Sequence, residues 1–167
     1  MDNVILIGMP GAGKSTIGVV LAKSIGFKFI DSDLLIQERE GKLLHEIISQ
    51  VGDEGFREIE NAVNSSIDVT KAVIATGGSA VYGKEAMEHF KKIGKVIYLK
   101  HSYDEIEKRL GDLGKRGVTI KKGQTLADLY NERTPLYEKY ADVVINCNNK
   151  YIRSIVKEIK SKLFSKN

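Results

Sequence analysis

The sequence predicts an α/β fold in which a parallel sheet is covered by helices on both faces. Three observations carry this. Five short apolar runs, at residues 3–7, 28–30, 72–75, 95–99 and 142–146, have the length and composition of buried strands. Segments of ten or more residues with helical character separate most of them. The first run leads directly into Gly8-Met9-Pro10-Gly11-Ala12-Gly13-Lys14-Ser15, which fits G-x-x-x-x-G-K-[ST] without a mismatch.

That motif is flanked by the Val4–Ile7 run and by Ile17, Val20, Leu21 and Ile25 at helical spacing. A strand before and a helix after make it a phosphate-binding loop rather than a glycine-rich turn. Its glycines let successive N–H groups converge on an anion, and the helix adds unpaired first-turn donors. Lys14 can reach the β- and γ-phosphates, and the Ser15 hydroxyl can ligate Mg²⁺. The sequence therefore points to ATP or GTP. In sheets of this type ligands bind at the carboxyl ends of the strands, so the loop, Asp31, Gly77 and Asn146 are expected along one edge.

The 167 residues suit one domain, taken as 1–167. The single cysteine, Cys147, excludes an internal disulfide and a multi-cysteine metal site, and reads as a small buried hydrophobe. Asp2 and Lys14 interrupt any leader-like apolar run, and no segment approaches the ~20 residues of a membrane span. A cytoplasmic monomer is expected. Residues 1–90 carry 8 Lys/Arg against 13 Asp/Glu, and residues 91–167 carry 18 against 9, for a net charge of +4. The basic half lacks interleaved aromatics, so a small anionic ligand explains it better than nucleic acid.

After the second strand comes Asp31-Ser32-Asp33. Either carboxylate can cap the helix that begins at Leu34. Near a phosphate loop, one can hold Mg²⁺ through water while the other accepts a proton from an attacking hydroxyl. Further on, Arg57 and Glu60 share a helix face at i,i+3. Spacing alone favours a surface ion pair, with Glu60 orienting Arg57 toward a substrate carboxylate as the alternative. Gly77-Gly78 at the third strand's end allows close approach of backbone to a ligand, or simply a tight turn.

From Arg109 the chain is broken by Gly111, Gly114, Gly117 and Gly123, among Lys115, Arg116, Lys121 and Lys122. The stretch from about 109 to 124 reads as a mobile cationic lid rather than a packed element. Thr125 and Asp128 form a capping box for the following helix. Arg133, where that helix must bend ahead of Pro135, is a second candidate carboxylate grip. The final helix, from Tyr151 to Leu163, presents Ile152, Ile155, Val156 and Ile159 on one face and has no assigned chemistry.

Together these segments resemble the shikimate kinases, small P-loop NTPase-fold enzymes of the nucleoside-monophosphate-kinase type. The resemblance spans nearly the whole chain. It rests on Gly11-Ala12-Gly13-Lys14-Ser15-Thr16, Asp31-x-Asp33, Phe56-Arg57-x-x-Glu60, Gly77-Gly78, Arg109 with Arg116, and Arg133-x-Pro135-Leu136-Tyr137. It implies a three-layer α/β/α fold with five parallel strands in the order 2-3-1-4-5, and MgATP-dependent phosphorylation of a shikimate hydroxyl. Catalysis would fall to Lys14, Asp33 and Arg116. Gly11, Ala12, Gly13, Lys14, Ser15, Thr16, Arg109 and Arg116 would bind ATP. Asp33, Arg57, Gly78 and Arg133 would bind the acceptor, with the two arginines clamping its carboxylate. Ser15 and Asp31 would manage Mg²⁺.

Two departures bear on the acceptor. The family usually carries three glycines where this chain has Gly77-Gly78-Ser79, and Arg-Pro-Leu-Leu where it has Arg116-Gly117-Val118-Thr119. A β-carbon at residue 79 would narrow the pocket or alter a left-handed backbone conformation. A sister kinase acting on another small hydroxylated acid is therefore the alternative. A GTP-operated switch is disfavoured, because Asn149-Lys150-Tyr151-Ile152 lacks the Asp of a guanine-reading Asn-Lys-x-Asp.

Overall fold

A computed structural model describes residues 2–111 and 123–165. Five strands form one sheet: β1 (Asn3–Ile7), β2 (Lys28–Asp31), β3 (Ala72–Ala75), β4 (Gly94–Lys100) and β5 (Val143–Asn146). All are parallel and lie in the order β2-β3-β1-β4-β5, as expected. The strand limits move by one residue at β2, β4 and β5. Seven helices are described: α1 (Lys14–Ile25), α2 (Ser32–Glu40), α3 (Leu44–Ser65), α4 (Lys84–Ile93), α5 (Tyr103–Leu110), α6 (Leu126–Tyr140) and α7 (Ile152–Phe164).

The pleat sends alternate residues of β1 to opposite faces. Val4 and Leu6 pack with Ile17 and Leu21 of α1 and Ile155 and Ile159 of α7. Ile5 and Ile7 pack with Phe90 of α4 and Leu129 and Tyr137 of α6. Both faces of the central strand are thus buried, which explains why it reads as an unbroken apolar run. A third, smaller cluster of Ile36, Ile47, Phe56 and Val63 joins α2 to α3. Helix α3 is interrupted at Gly52, where φ is 75°.

Asn3 fastens the lower end of the sheet. Its side-chain amide donates to the Val69 and Ile93 carbonyls at 2.8 and 3.0 Å and accepts from the Ala72 amide at 3.0 Å. Cys147 is fully buried just past β5, and burial pushes its thiol up to about 11. Among the described residues no helix is long and apolar enough to cross a membrane.

One expectation changes. Arg109 belongs to the last turn of α5, whose Leu110 is buried, so the packed structure continues past the proposed start of the lid. Residues 112–122, with Arg116 and most of that lid, lie outside the described residues. Helix α6 carries Pro135 within it and runs on to Tyr140. Thr134 donates its hydroxyl to the Tyr130 carbonyl at 2.6 Å, one residue before the position where proline lacks an N–H. The Thr125–Asp128 capping box forms as expected.

Candidate active site

The loop between β1 and α1 winds into a concave turn through left-handed glycines. Gly11 has φ 80° and Gly13 has φ 85°, values that side chains disfavour. Gly13 occupies the N-cap of α1 without a side-chain cap, and no acidic residue sits in the first turn. The amides of Lys14, Ser15 and Thr16 therefore have no intrahelical acceptor, which leaves a ready anion site. Lys14 is buried and donates to the carbonyls of Gly8 and Met9 at 2.6 and 2.8 Å. Burial lowers it to about 8, against the opposing pull of Asp33, Glu60 and Asp31.

Two residues the sequence did not single out brace this loop from below. His101 is 2 % exposed, and its Nε2 lies 3.1 Å from the Ala12 carbonyl. Because that carbonyl can only accept, Nε2 carries the proton. Tyr130 donates to the His101 carbonyl at 2.7 Å. Arg109 reaches the same loop, 3.4 Å from the Gly11 carbonyl, while pairing with Glu105 at 3.4 Å.

Strand β2 delivers the two aspartates. Asp31 is the N-cap of α2 and accepts from the Asp33 amide at 2.9 Å. Its other oxygen takes the Ser15 hydroxyl at 3.2 Å. One carboxylate thus both caps and faces the loop, which leaves the Asp33 side chain available to the cavity. Burial, then the adjacent Asp31 charge, raise Asp33 above the usual carboxylate range, and Lys14 draws it back. A hydroxyl and a carboxylate in contact fit Mg²⁺ that arrives with phosphate oxygens and water. Among the described residues no group of three or more His, Cys, Asp or Glu could hold a metal unaided.

Arg57 and Glu60 do not form the surface ion pair that spacing favoured. Glu60 is 2 % exposed and accepts the Ser79 hydroxyl at 2.6 Å. Burial first, with Asp33 adding, raises it to about 7, while Ser79, Arg133 and Arg57 oppose the shift. Arg57 instead stacks on Tyr82, its guanidinium carbon 3.7 Å from the ring centre. Arg133 lies over the same ring at 5.4 Å, and its Nε donates to the Tyr82 hydroxyl at 3.3 Å. The structure therefore gathers both arginines at one aromatic side chain. No local sequence signal marks Tyr82, because its role depends on helices α3 and α6 each packing against the turn at residues 80–82 that carries it.

The Gly77-Gly78 pair is a close-approach site rather than a plain turn. A β-carbon on Gly77 would stand 2.8 Å from Asp33 Oδ1 and 3.0 Å from Glu60 Oε2. One on Gly78 would stand 2.7 Å from Pro10 Cδ and 2.9 Å from Arg133 Nη1. Tyr137 fixes the segment by donating to the Gly78 carbonyl at 2.6 Å. Ser79 has φ −91°, an ordinary value, so it strains nothing.

These parts enclose a cavity of about 320 Å³, lined by Lys14, Ser15 and Thr16 on one side and by Asp33, Glu60, Gly78 and Arg133 on the other. Arg57, seated on the Tyr82 ring, is not among the lining residues. The cavity thus joins a phosphate cradle to a pocket bearing an acid and a guanidinium.

The family model described as shikimate kinase matches residues 10–164. A shikimate kinase of Pseudomonas paraeruginosa (strain DSM 24068 / PA7) is 40% identical over 166 residues, covering 98% of this chain and 96% of that protein. One from Francisella tularensis subsp. holarctica (strain FTNF002-00 / FTA) is 39% identical over 163 residues, covering 95% and 93%. Among solved structures, shikimate kinase from Acinetobacter baumannii in complex with shikimate superposes with a TM-score of 0.88 at 31% identity, covering 99% of this chain and 94% of that one. The shikimate kinase of Bacteroides thetaiotaomicron gives 0.81 at 29% identity, with coverage of 97% and 98%. Sequence and fold agree over nearly the full length, and the chain belongs to the shikimate kinase family.

Proposed function

We propose that this protein transfers the γ-phosphoryl group of ATP to a hydroxyl of shikimate. The observation that carries the reading is the single cavity in which Lys14 and the free first-turn amides of α1 face Asp33 and Arg133. The amides and the Lys14 ammonium bind phosphate oxygens and stabilise the charge that develops on them. Asp33 takes the proton as the acceptor oxygen bonds to the γ-phosphorus and the bond to the ADP oxygen breaks. Its raised proton affinity suits a base.

On the acceptor side, Arg57 and Arg133, gathered at Tyr82, clamp the carboxylate, and the Gly78 backbone lines the wall. Ser15 and Asp31 would hold Mg²⁺, which supplies positive charge to the phosphate oxygens. The donor set fits, since Ser15 and Asp31 already touch. Arg109 adds charge beside the loop. Arg116, outside the described residues, belongs to the same proposal as a cation near the transferring phosphate. The chain is taken to act as a single-domain cytoplasmic monomer without a nucleic-acid or membrane partner.

An ADP-release assay across a panel of hydroxy acids and polyols tests this. Shikimate should give the highest kcat/KM. A better rate with another hydroxy acid would favour the sister-kinase reading, and no rate with shikimate would overturn the proposal. The departure at Ser79 gives that alternative little support, because the hydroxyl bonds Glu60 and the backbone is unstrained.

A further inference from the structure

Ser79 sits where the family usually has glycine, and its extra atoms have a partner. The hydroxyl donates to Glu60 Oε1 at 2.6 Å, with both residues buried. Glu60 Oε2 is buried beside Gly77 and accepts no hydrogen bond among the described residues. Four other charged groups act on this carboxylate: Asp33 from α2, Lys14 from α1, Arg57 from α3 itself and Arg133 from α6. One shares its sign and three oppose it. A glycine at residue 79 has no atom that could reach Oε1.

We propose that Ser79 is a positioning residue for acceptor recognition: its hydroxyl anchors Glu60 Oε1, leaves Oε2 on the side of the Asp33–Arg133 cavity, and makes binding of an anionic acceptor draw a proton onto Glu60. The inference rests on the proposed function only in its second half. A hydroxyl donor favours the charged carboxylate, whereas an incoming acceptor carboxylate disfavours it. Burial raises Glu60 to about 7, so the two effects compete near neutrality.

The first test needs no ligand. In protein labelled with ¹³C at the glutamate carboxyls, the Glu60 resonance is assigned by its loss in Glu60→Gln. Its titration midpoint should lie near neutrality in the wild type and move up by about one pH unit in Ser79→Ala. Ser79→Thr, which keeps the hydroxyl, should restore the wild-type midpoint. Ser79→Gly removes the same donor and serves if the alanine variant does not fold. The second test is calorimetry of shikimate binding at pH 7.5 in buffers of different protonation heat. The wild type should take up a fraction of a proton, Ser79→Ala less than half as much, and Glu60→Gln none at this group. An identical Glu60 midpoint in wild type and Ser79→Ala, or a buffer-independent heat in the wild type, overturns the inference. A wild type that neither binds nor phosphorylates shikimate overturns the functional reading instead, and the midpoint comparison still decides the Ser79–Glu60 link.

Discussion

The guanidinium of Arg57 sits over Tyr82, its central carbon 3.7 Å from the ring centre, and Arg133 shares that ring from α6 at 5.4 Å. Tyr82 also donates to Glu132 at 3.0 Å. The ring orders two cations that would otherwise repel. Tyr82→Ala should raise the acceptor KM about tenfold with a smaller effect on kcat, the size of one desolvated cation–π contact. Tyr82→Phe, which keeps the ring but loses the hydroxyl, should fall between. Steady-state kinetics with varied acceptor would check both. An unchanged KM in the alanine variant would remove Tyr82 from acceptor binding.

Gly78 is crowded by Pro10 on one side and Arg133 on the other. Gly78→Ala should lower stability by about 1–3 kcal/mol through overpacking. It should also raise the acceptor KM more than the ATP KM, because the Arg133 end moves more easily than the proline ring. Thermal unfolding together with kinetics in both substrates measures the two effects.

Glu60 is a stability liability with a defined pH window. Its affinity for protons is higher in the folded state, at about 7, than in the unfolded chain near 4.5. The folded protein therefore binds the extra proton between those values. This stabilisation is complete below the lower value and is lost as pH rises through about 7. Glu60→Gln should unfold with a flatter pH dependence across that window and gain about 2–3 kcal/mol at pH 8. Urea denaturation at pH 5 and pH 8 checks the sign.

Lys14 sets an alkaline limb on activity. As a buried ammonium that loses its proton near 8, it should make kcat/KM for ATP fall as pH rises above that value in the wild type. Lys14→Ala should abolish this limb and reduce kcat by at least about a hundredfold. Full turnover in that variant would remove Lys14 from the chemistry.

Asp31 does two jobs that one substitution separates. Asn caps helices about as well as Asp, so Asp31→Asn should unfold within about 0.5 kcal/mol of the wild type. Without the negative charge beside Ser15, the Mg²⁺ concentration for half-maximal rate should rise about tenfold. A metal titration of the rate in both proteins tells the roles apart.

The elements legible in the sequence were those whose causes are local. The phosphate loop, the five buried runs and the Thr125–Asp128 cap each depend on residues within a few positions of one another. Strand order became legible only through the family resemblance. The Arg57–Glu60 pairing failed because i,i+3 spacing reports what two side chains can reach, not what else competes for them. Ser79, nineteen positions from Glu60, and Tyr82, brought between two arginines, decide that competition. Helix α6 runs through Pro135, because one missing donor is a small defect in a helix held by Leu129, Arg133 and Tyr137 inside the fold.

The small apolar cluster of Ile36, Ile47, Phe56 and Val63 is distinct from the two larger cores that flank the sheet. The helices it joins carry Asp33, Arg57 and Glu60, whereas the nucleotide cradle is rooted in the sheet. Repacking this one corner would therefore shift Asp33, Arg57 and Glu60 while Arg133 and the phosphate loop keep their own supports.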